Sequence, residues 1–360
     1  MQSDMHYYGT WAMARAAGLR ADVATTIATA AQFVDDNAQR DRALFRDGGR
    51  VDVAATAHHP FDLENIDDEA QRRIWVPFHF LPGNQGDTFT ERLVCRKDSA
   101  IAREMLEHHM ELHRLPCYPQ LLGVASHVYA DTFSHYGFSG VSSRRNKVVN
   151  DSFEFHELAP QIEEYILEKA REFQARFGDQ GGLMANIKSW FIEALSGALG
   201  HGAVVTYPDR PYLIWRVTFE GDDAPSTRDN PRTYIEACEA LHRFYTQVAE
   251  RSPELRGDPG LRFEQIRETV QAVILTQAPK LGRIERWQQA ASSGALFAAG
   301  GQEIPCYDPQ LWNQLFEQLG RSEDSTQALC SPVYRFYQAA ALHRTYVLRQ
   351  LLPSHGLVVA

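Results

Sequence analysis

Residues 119–133 constrain the fold more than any other part of the chain. The segment is apolar on every side of a helical wheel, with Leu121, Leu122, Val124, Ala125, Val128 and Ala130, and a helix apolar all round belongs in a core. Yet it runs into His127-Val-Tyr-Ala-Asp131-Thr-Phe-Ser-His135. The spacing i, i+4, i+8 sets these three on one stripe that drifts about 40° per step. Burying two imidazoles and a carboxylate beside leucine and valine is costly unless something pairs with them. Adjacent members lie about 6 Å apart along the axis, which suits a shared metal ion. The two histidines lie about 12 Å apart, too far for one ion on a regular helix. Either Asp131 bridges two ions with one histidine on each, or the helix ends before His135, which Gly137 would permit.

The rest of the pattern is also helical. Apolar periodicity predicts helices over 11–17, 22–34, 99–112, 160–177, 183–199, 232–251, 261–277, 309–319 and 333–352. Strand signals are confined to 50–54 and 213–219, and long polar, turn-rich stretches occupy 47–90, 139–155 and 202–230. The expected fold is an all-α, multi-helix globular bundle with long irregular loops, forming one domain over 1–360. Residues 1–220 carry the metal-site core, and 221–360, poor in histidine, are a candidate C-terminal helical subdomain.

Hydrophobic residues at 44% and charged residues at 23% exclude a disordered chain. The longest apolar runs, 121–125 and 351–360, are too short to span a bilayer. A formal net charge of -10 gives no basic footprint, so no stable nucleic-acid partner is expected. Five widely spread cysteines with no CxxC pair read as reduced core thiols. The start, Met-Gln-Ser-Asp, has no basic stretch leading into an apolar one, so a cytoplasmic location is expected.

The information lies in the fourteen histidines. His6 heads the first helix. Asp35 and Asp36 close the helix over 22–34, and on the wheel Asp35 lies nearer the apolar face of Ile27, Ala31 and Val34. His58 and His59 sit in a loop after the first strand, and His79 is embedded in Val-Pro-Phe-His-Phe-Leu-Pro. Of these three, one is expected as a ligand and the others as supporting or structural residues. His201 stands between two glycines after a helix, where small neighbours admit an ion, and Asp209 follows in Tyr-Pro-Asp-Arg-Pro-Tyr as a ligand or a turn residue. His108, His109 and His113 share a segment with Glu104, Glu107 and Glu111 and read as solvated. His156, His242, His343 and His355 read as structural. Histidine and carboxylate donors without thiolate suit zinc, with iron or manganese as alternatives. Two or three such ions would clamp a phosphoester and generate hydroxide at neutral pH. Arg210, Arg228 or Arg232 could hold a phosphate oxygen.

The order of these residues resembles the zinc-dependent phospholipase C and single-strand nuclease superfamily: an early histidine, an aspartate about thirty residues on, a loop histidine, a helical HxxxD with a further histidine, then a late histidine. The phrases HYYGT, AQFVDDN, FHFLPG, SHVYADTFSHYGFSG and GHGAVVTYPDRPYLIW also look like an uncharacterised bacterial family related to it. The resemblance implies an all-α fold around three zinc ions. It implies that His6, Asp35 and His59 (or His58) serve one zinc, that His127 and Asp131 are the HxxxD pair with Asp131 bridging, and that His135 and His201 complete the set. That superfamily also binds zinc through the amino group and carbonyl of a first-position tryptophan.

The leading expectation is therefore a metal-dependent phosphoesterase acting on a phospholipid, a nucleotide or another small phosphoester. Asp131 would bridge the ions, and Asp35 or Asp36 would act as base or orient the water. A non-haem di-iron or mixed-metal oxygenase is the second, weakened by the missing repeated Glu-x-x-His. A non-enzymatic helical binding protein with buried histidine networks is the third.

Overall fold

The computed structural model describes residues 1–38, 42–58, 68–143, 146–149, 152–178, 204 and 206–359. Ten helices carry the architecture: α1 (Thr10–Ala16), α2 (Ala21–Asp36), α3 (Ala100–Met110), α4 (Tyr118–Ser134), α5 (Pro160–Gly178), α6 (Asn230–Arg251), α7 (Phe263–Ile274), α8 (Lys280–Ser292), α9 (Leu311–Leu319) and α10 (Pro332–Tyr346). A π-helical turn, Asp4–Gly9, leads into α1, and another, Val347–Leu351, continues α10. β1 (Arg42–Leu44) and β2 (Arg50–Asp52) form a two-stranded antiparallel sheet. β3 (Glu154–His156), β4 (Ile214–Val217) and β5 (Ser226–Asp229) form a three-stranded one in that order. The chain is thus mostly helical with two small sheets. Helix 183–199 of the sequence reading lies outside the described residues. Among them, no helix is long and apolar enough to cross a membrane.

The helix boundaries follow local chemistry. The Ser99 side chain accepts the Ala102 N–H and starts α3, and Asp229 does the same for Arg232 at the head of α6. Pro119 occupies the first turn of α4, where a missing N–H costs nothing. At its other end α4 stops at Ser134, His135 turns out of helical geometry, and Gly137 takes φ 88°. Of the two arrangements open from the sequence, the helix does end before His135.

α4 lies at the centre with fully buried residues on all sides. One buried cluster joins Trp11, Ile27, Leu122 and Val128 to Leu241, Val270, Trp287 and Leu352, so helices from beyond residue 221 share a core with the first ones. A second cluster packs Phe33, Leu121 and Val124 against Trp312 and Phe336, and a third covers the sheet with Ile166, Trp215 and Phe138. α2 crosses α4 at Gly123, where a Cβ would intrude on the Ile27 carbonyl oxygen and lie 2.5 Å from the Ala30 Cβ. Alanine gains about 1 kcal/mol over glycine in an exposed helix, but here it meets backbone, and overpacking costs about 1–3 kcal/mol. Gly123→Ala is therefore expected to lower the melting temperature. An unchanged or raised value would show that the two helices can part at no cost.

Two thiols contradict the sequence reading. Cys95, Cys117 and Cys238 are buried, but Cys306 and Cys330 are exposed, because they lie in the irregular segment before α9 and at the end of the short 3-10 turn Ser325–Cys330.

Candidate metal centre

Four separate segments converge on α4. The π-turn Asp4–Gly9 supplies His6, the last turn of α2 supplies Asp35, and the residue after the short helix Val76–Phe78 is His79. α4 supplies His127 and Asp131, with His135 just past its end, and the 3-10 turn Tyr207–Asp209 supplies Asp209. His6, His79, His127, Asp131, His135 and Asp209 are all buried, while Asp35 is partly open.

The hydrogen bonds around the imidazoles fix which nitrogen faces inward. A backbone carbonyl only accepts, so a ring nitrogen bonded to one must carry the proton. His127 Nδ1–H donates to Ala31 O at 2.8 Å, His79 Nε2–H to Thr56 O at 2.9 Å and His135 Nδ1–H to His79 O at 2.9 Å. In its neutral form each ring carries a lone pair on the other nitrogen. The His127 lone pair at Nε2 faces Asp131 Oδ2 at 3.2 Å, His79 Nδ1 at 3.1 Å and Asp35 Oδ1 at 3.8 Å. The His79 lone pair at Nδ1 faces Asp131 Oδ2 at 3.4 Å and Asp35 Oδ1 at 3.7 Å. His135 Nε2 faces Asp209 Oδ1 at 3.3 Å. His6 stacks on His127 with ring centroids 3.9 Å apart, and its Nε2 is 3.1 Å from Asp131 Oδ1. Neither ring nitrogen of His6, nor Asp131 Oδ2, makes a hydrogen bond.

Lone pairs and carboxylate oxygens aimed at one another repel unless a cation or a proton lies between them. The spacings, 3.1–3.8 Å, bracket the edge of about 3.4 Å that a tetrahedron of donors around zinc would have. Outward N–H bonds to carbonyls are also how metal-binding imidazoles are oriented. Two overlapping triads, His6/His127/Asp131 and Asp35/His79/His127, have donor atoms within 4.8 Å of one another.

Burial alone would raise the Asp131 carboxyl, but positive charge on His135, the Met1 ammonium, His127 and His6 outweighs it and holds the carboxyl well below the ordinary range, so Asp131 is a carboxylate that draws cations, protons or a metal ion, to this site. Burial, then the His127 ring and the ammonium, push His6 down to about 4. The Met1 amino nitrogen lies 2.7 Å from Asp131 Oδ1 and 3.3 Å from Asp209 Oδ1. Against its own burial, Asp131, Asp209 and Asp35 raise it to about 11. The cluster thus already stabilises a positive charge. A cavity of about 110 Å³, lined by Met1, Asp35, Trp75, His79, Phe80, His135 and Asp209, opens onto it.

The chain belongs to the family of unknown function DUF6765. The match covers residues 1–351, so the family spans the metal-type cluster and the helices that hold it. No curated protein and no solved structure matches the chain.

Of the residues singled out from the sequence, His6, Asp35, His79, His127, Asp131, His135 and Asp209 are brought together. His59 and His201 lie outside the described residues. His58 belongs to neither triad; it is buried with its ring 6.3 Å from that of Trp75. Asp36 is a correction, both as ligand and as base. Its carboxylate instead accepts from Tyr307 Oη at 2.5 Å and from Gln32 at 3.3 Å and belongs to neither triad. His109 is another, being fully buried and bonded to His343 rather than solvated. Arg232 pairs with Glu236 on the surface, Arg210 is buried against Thr206 and the ring of Tyr165, and Arg228 is bonded to two carbonyls. Trp75 and Phe80, which line the cavity, carried no sequence signal beyond being aromatic.

Proposed function

We propose that this chain is a metal-dependent phosphoesterase, similar in chemistry to the zinc-dependent phospholipases C and single-strand nucleases, with a His/Asp cluster that holds two ions, zinc foremost. One observation carries the reading. Three imidazoles each donate one N–H to a backbone carbonyl and turn the other nitrogen toward the carboxylates of Asp131, Asp35 and Asp209.

When bound, such ions lower the pKa of water to near neutrality and neutralise charge on a phosphoryl group. The residues of the chain do the rest. Asp131 places one oxygen toward His6 and the other toward His79 and His127, the disposition of a bridging carboxylate. His135 and Asp209 form the far side of the cluster. Asp35, the most open of the acids, is placed to orient a water in the cavity or take its proton. Trp75 and Phe80 give that cavity an apolar wall, so the phosphate end of a small phosphoester or phospholipid is the group expected to enter.

Elemental analysis of protein purified without chelator, followed by a panel of phosphomonoesters, phosphodiesters and phospholipid vesicles, tests the proposal. Two or three equivalents of zinc and turnover of a phosphoester are the expected result. Iron with a visible absorption band would replace the reading with an oxygenase, and protein that takes up no metal would leave a helical binding protein with buried histidines.

A further inference from the structure

Arg228, on β5, is buried and pairs with no carboxylate among the described residues. An unpaired guanidinium inside a protein is costly, so what it does there must offset that cost. Its Nη2 donates to Ser134 O and its Nη1 to Tyr136 O, each at 2.7 Å. Its plane also lies 3.8 Å from the centre of the Tyr136 ring, 5.2 Å from Phe138 and 5.5 Å from Trp215. The two accepting carbonyls flank one residue, His135.

That residue stands where α4 stops. A helix end leaves carbonyls without donors, and here the following N–H groups are engaged elsewhere. Gly137 N–H goes to Cys95 O at 2.9 Å and Phe138 N–H to His135 O at 3.1 Å. A forked cation at the negative end of the helix gives the last helical carbonyl, Ser134 O, and Tyr136 O beyond it their donors, and meets the helix dipole. The turn so held directs His135 Nδ1–H to His79 O and leaves Nε2 opposite Asp209.

We infer that Arg228 is a positioning residue for the metal centre: it clamps the backbone on both sides of His135 and so sets that imidazole as a donor facing Asp209. The inference rests on the proposed metal reading and extends it to a residue of β5 that belongs to neither triad. The rigid, planar Nη1–Nη2 fork holds the two carbonyls in a fixed geometry that the compact, freely rotating ammonium of lysine would not impose.

The test uses the full chain, loaded with cobalt(II) or zinc, as wild type, Arg228→Met, Arg228→Lys, His135→Ala and Arg228→Met/His135→Ala. Metal stoichiometry, the cobalt visible spectrum and circular dichroism are read for each. Arg228→Met is expected to keep its helical signal, to lose about one equivalent of metal or bind it about tenfold to a hundredfold more weakly, and to shift the cobalt band as His135→Ala does. The double variant is expected to lose no more than His135→Ala alone, since both act through one imidazole. Additive losses would mean that Arg228 merely supports the fold, and wild-type metal content and spectrum in Arg228→Met would remove its role. Either result overturns the inference while the metal reading stands. If methionine leaves the chain unfolded, lysine decides: a partial loss in Arg228→Lys supports the clamp, and wild-type behaviour overturns it. Wild-type protein that takes up neither ion overturns the metal reading and this inference with it.

Discussion

Asp131→Asn is expected to release metal and abolish phosphoester turnover together. Asp131 is fully buried, and its two oxygens serve different neighbours: Oδ1 faces His6 and the Met1 amino group, Oδ2 faces His127 and His79. Asparagine keeps the shape and removes the charge. One end becomes an NH2, which donates to a histidine lone pair instead of sharing a cation with it. A ligand lost from the centre of such a cluster should exceed the effect of losing an outer support, so turnover should fall by at least about a hundredfold. At least one equivalent of metal should go with it. His113→Ala is the matched control: His113 is exposed beyond the end of α3 and bears on none of these groups. Elemental analysis and a phosphodiester assay on both variants decide the matter. If Asp131→Asn retains its metal, Asp131 does not bridge, and if His113→Ala loses as much, the cluster is not where metal binds.

The parts of this molecule that were legible in the sequence are those in which a single segment carries the signal. α4 reads as buried because every face is apolar, and its stripe of His127, Asp131 and His135 reads as a cluster because apolar neighbours make solitary polar groups expensive. Asp35 could be told from Asp36 by its place on the helical wheel, and Asp35 does lie against His79 while Asp36 is engaged by Tyr307. What could not be read depends on partners far along the chain. His109 looked solvated because Glu104, Glu107 and Glu111 surround it in sequence, yet His343, 234 residues away, lies over it. α8 escaped notice because Gly282, Arg283 and Arg286 interrupt its apolar face. It is held by Trp287 and Ala291 in the core, and by the buried pair of Arg283 with Asp4 at 2.6 Å. β3 and β5 are three and four residues long with little apolar content, and exist through pairing with β4. The carbonyls of Ala31, Thr56 and His79, which orient the three imidazoles, have no side-chain signature at all.

Acid should destabilise the protein well above the pH at which carboxylates titrate, because of a second histidine group just outside the cluster, close enough for His343 to feel His127. His343 Nε2–H donates to Pro77 O at 2.8 Å, which leaves His343 Nδ1 to accept from His109 Nε2–H at 3.0 Å. His109 Nδ1 then accepts from His108 Nδ1–H at 3.0 Å. All three rings are neutral in this chain, and a proton added to either inner ring would set donor against donor. Burial is the main cause that holds His343 down at about 4, and burial followed by the His343 and His108 rings keeps His109 well below its ordinary value. Both folded values are lowered, so the unfolded chain takes up protons below about pH 6.5 that the folded chain refuses. Their contribution is therefore complete above pH 6.5 and is lost as the pH falls toward 4. The shift at His343 corresponds to about 3 kcal/mol, a large share of the roughly 5–15 kcal/mol that holds a domain together. Asp131 acts in the same direction but only below its unfolded value near 3.8. His343→Gln separates the two effects. The amide can still donate to Pro77 and accept from His109, but it cannot titrate. Urea unfolding at half-unit steps from pH 7 to 4, with equal metal in both proteins, should show the wild type losing up to about 1.4 kcal/mol per unit more than the variant. The variant should start about 1–2 kcal/mol lower at pH 7, because a neutral amide fits the site less well than the ring it replaces. Parallel pH profiles for the two proteins would mean that these buried rings do not set the acid limit.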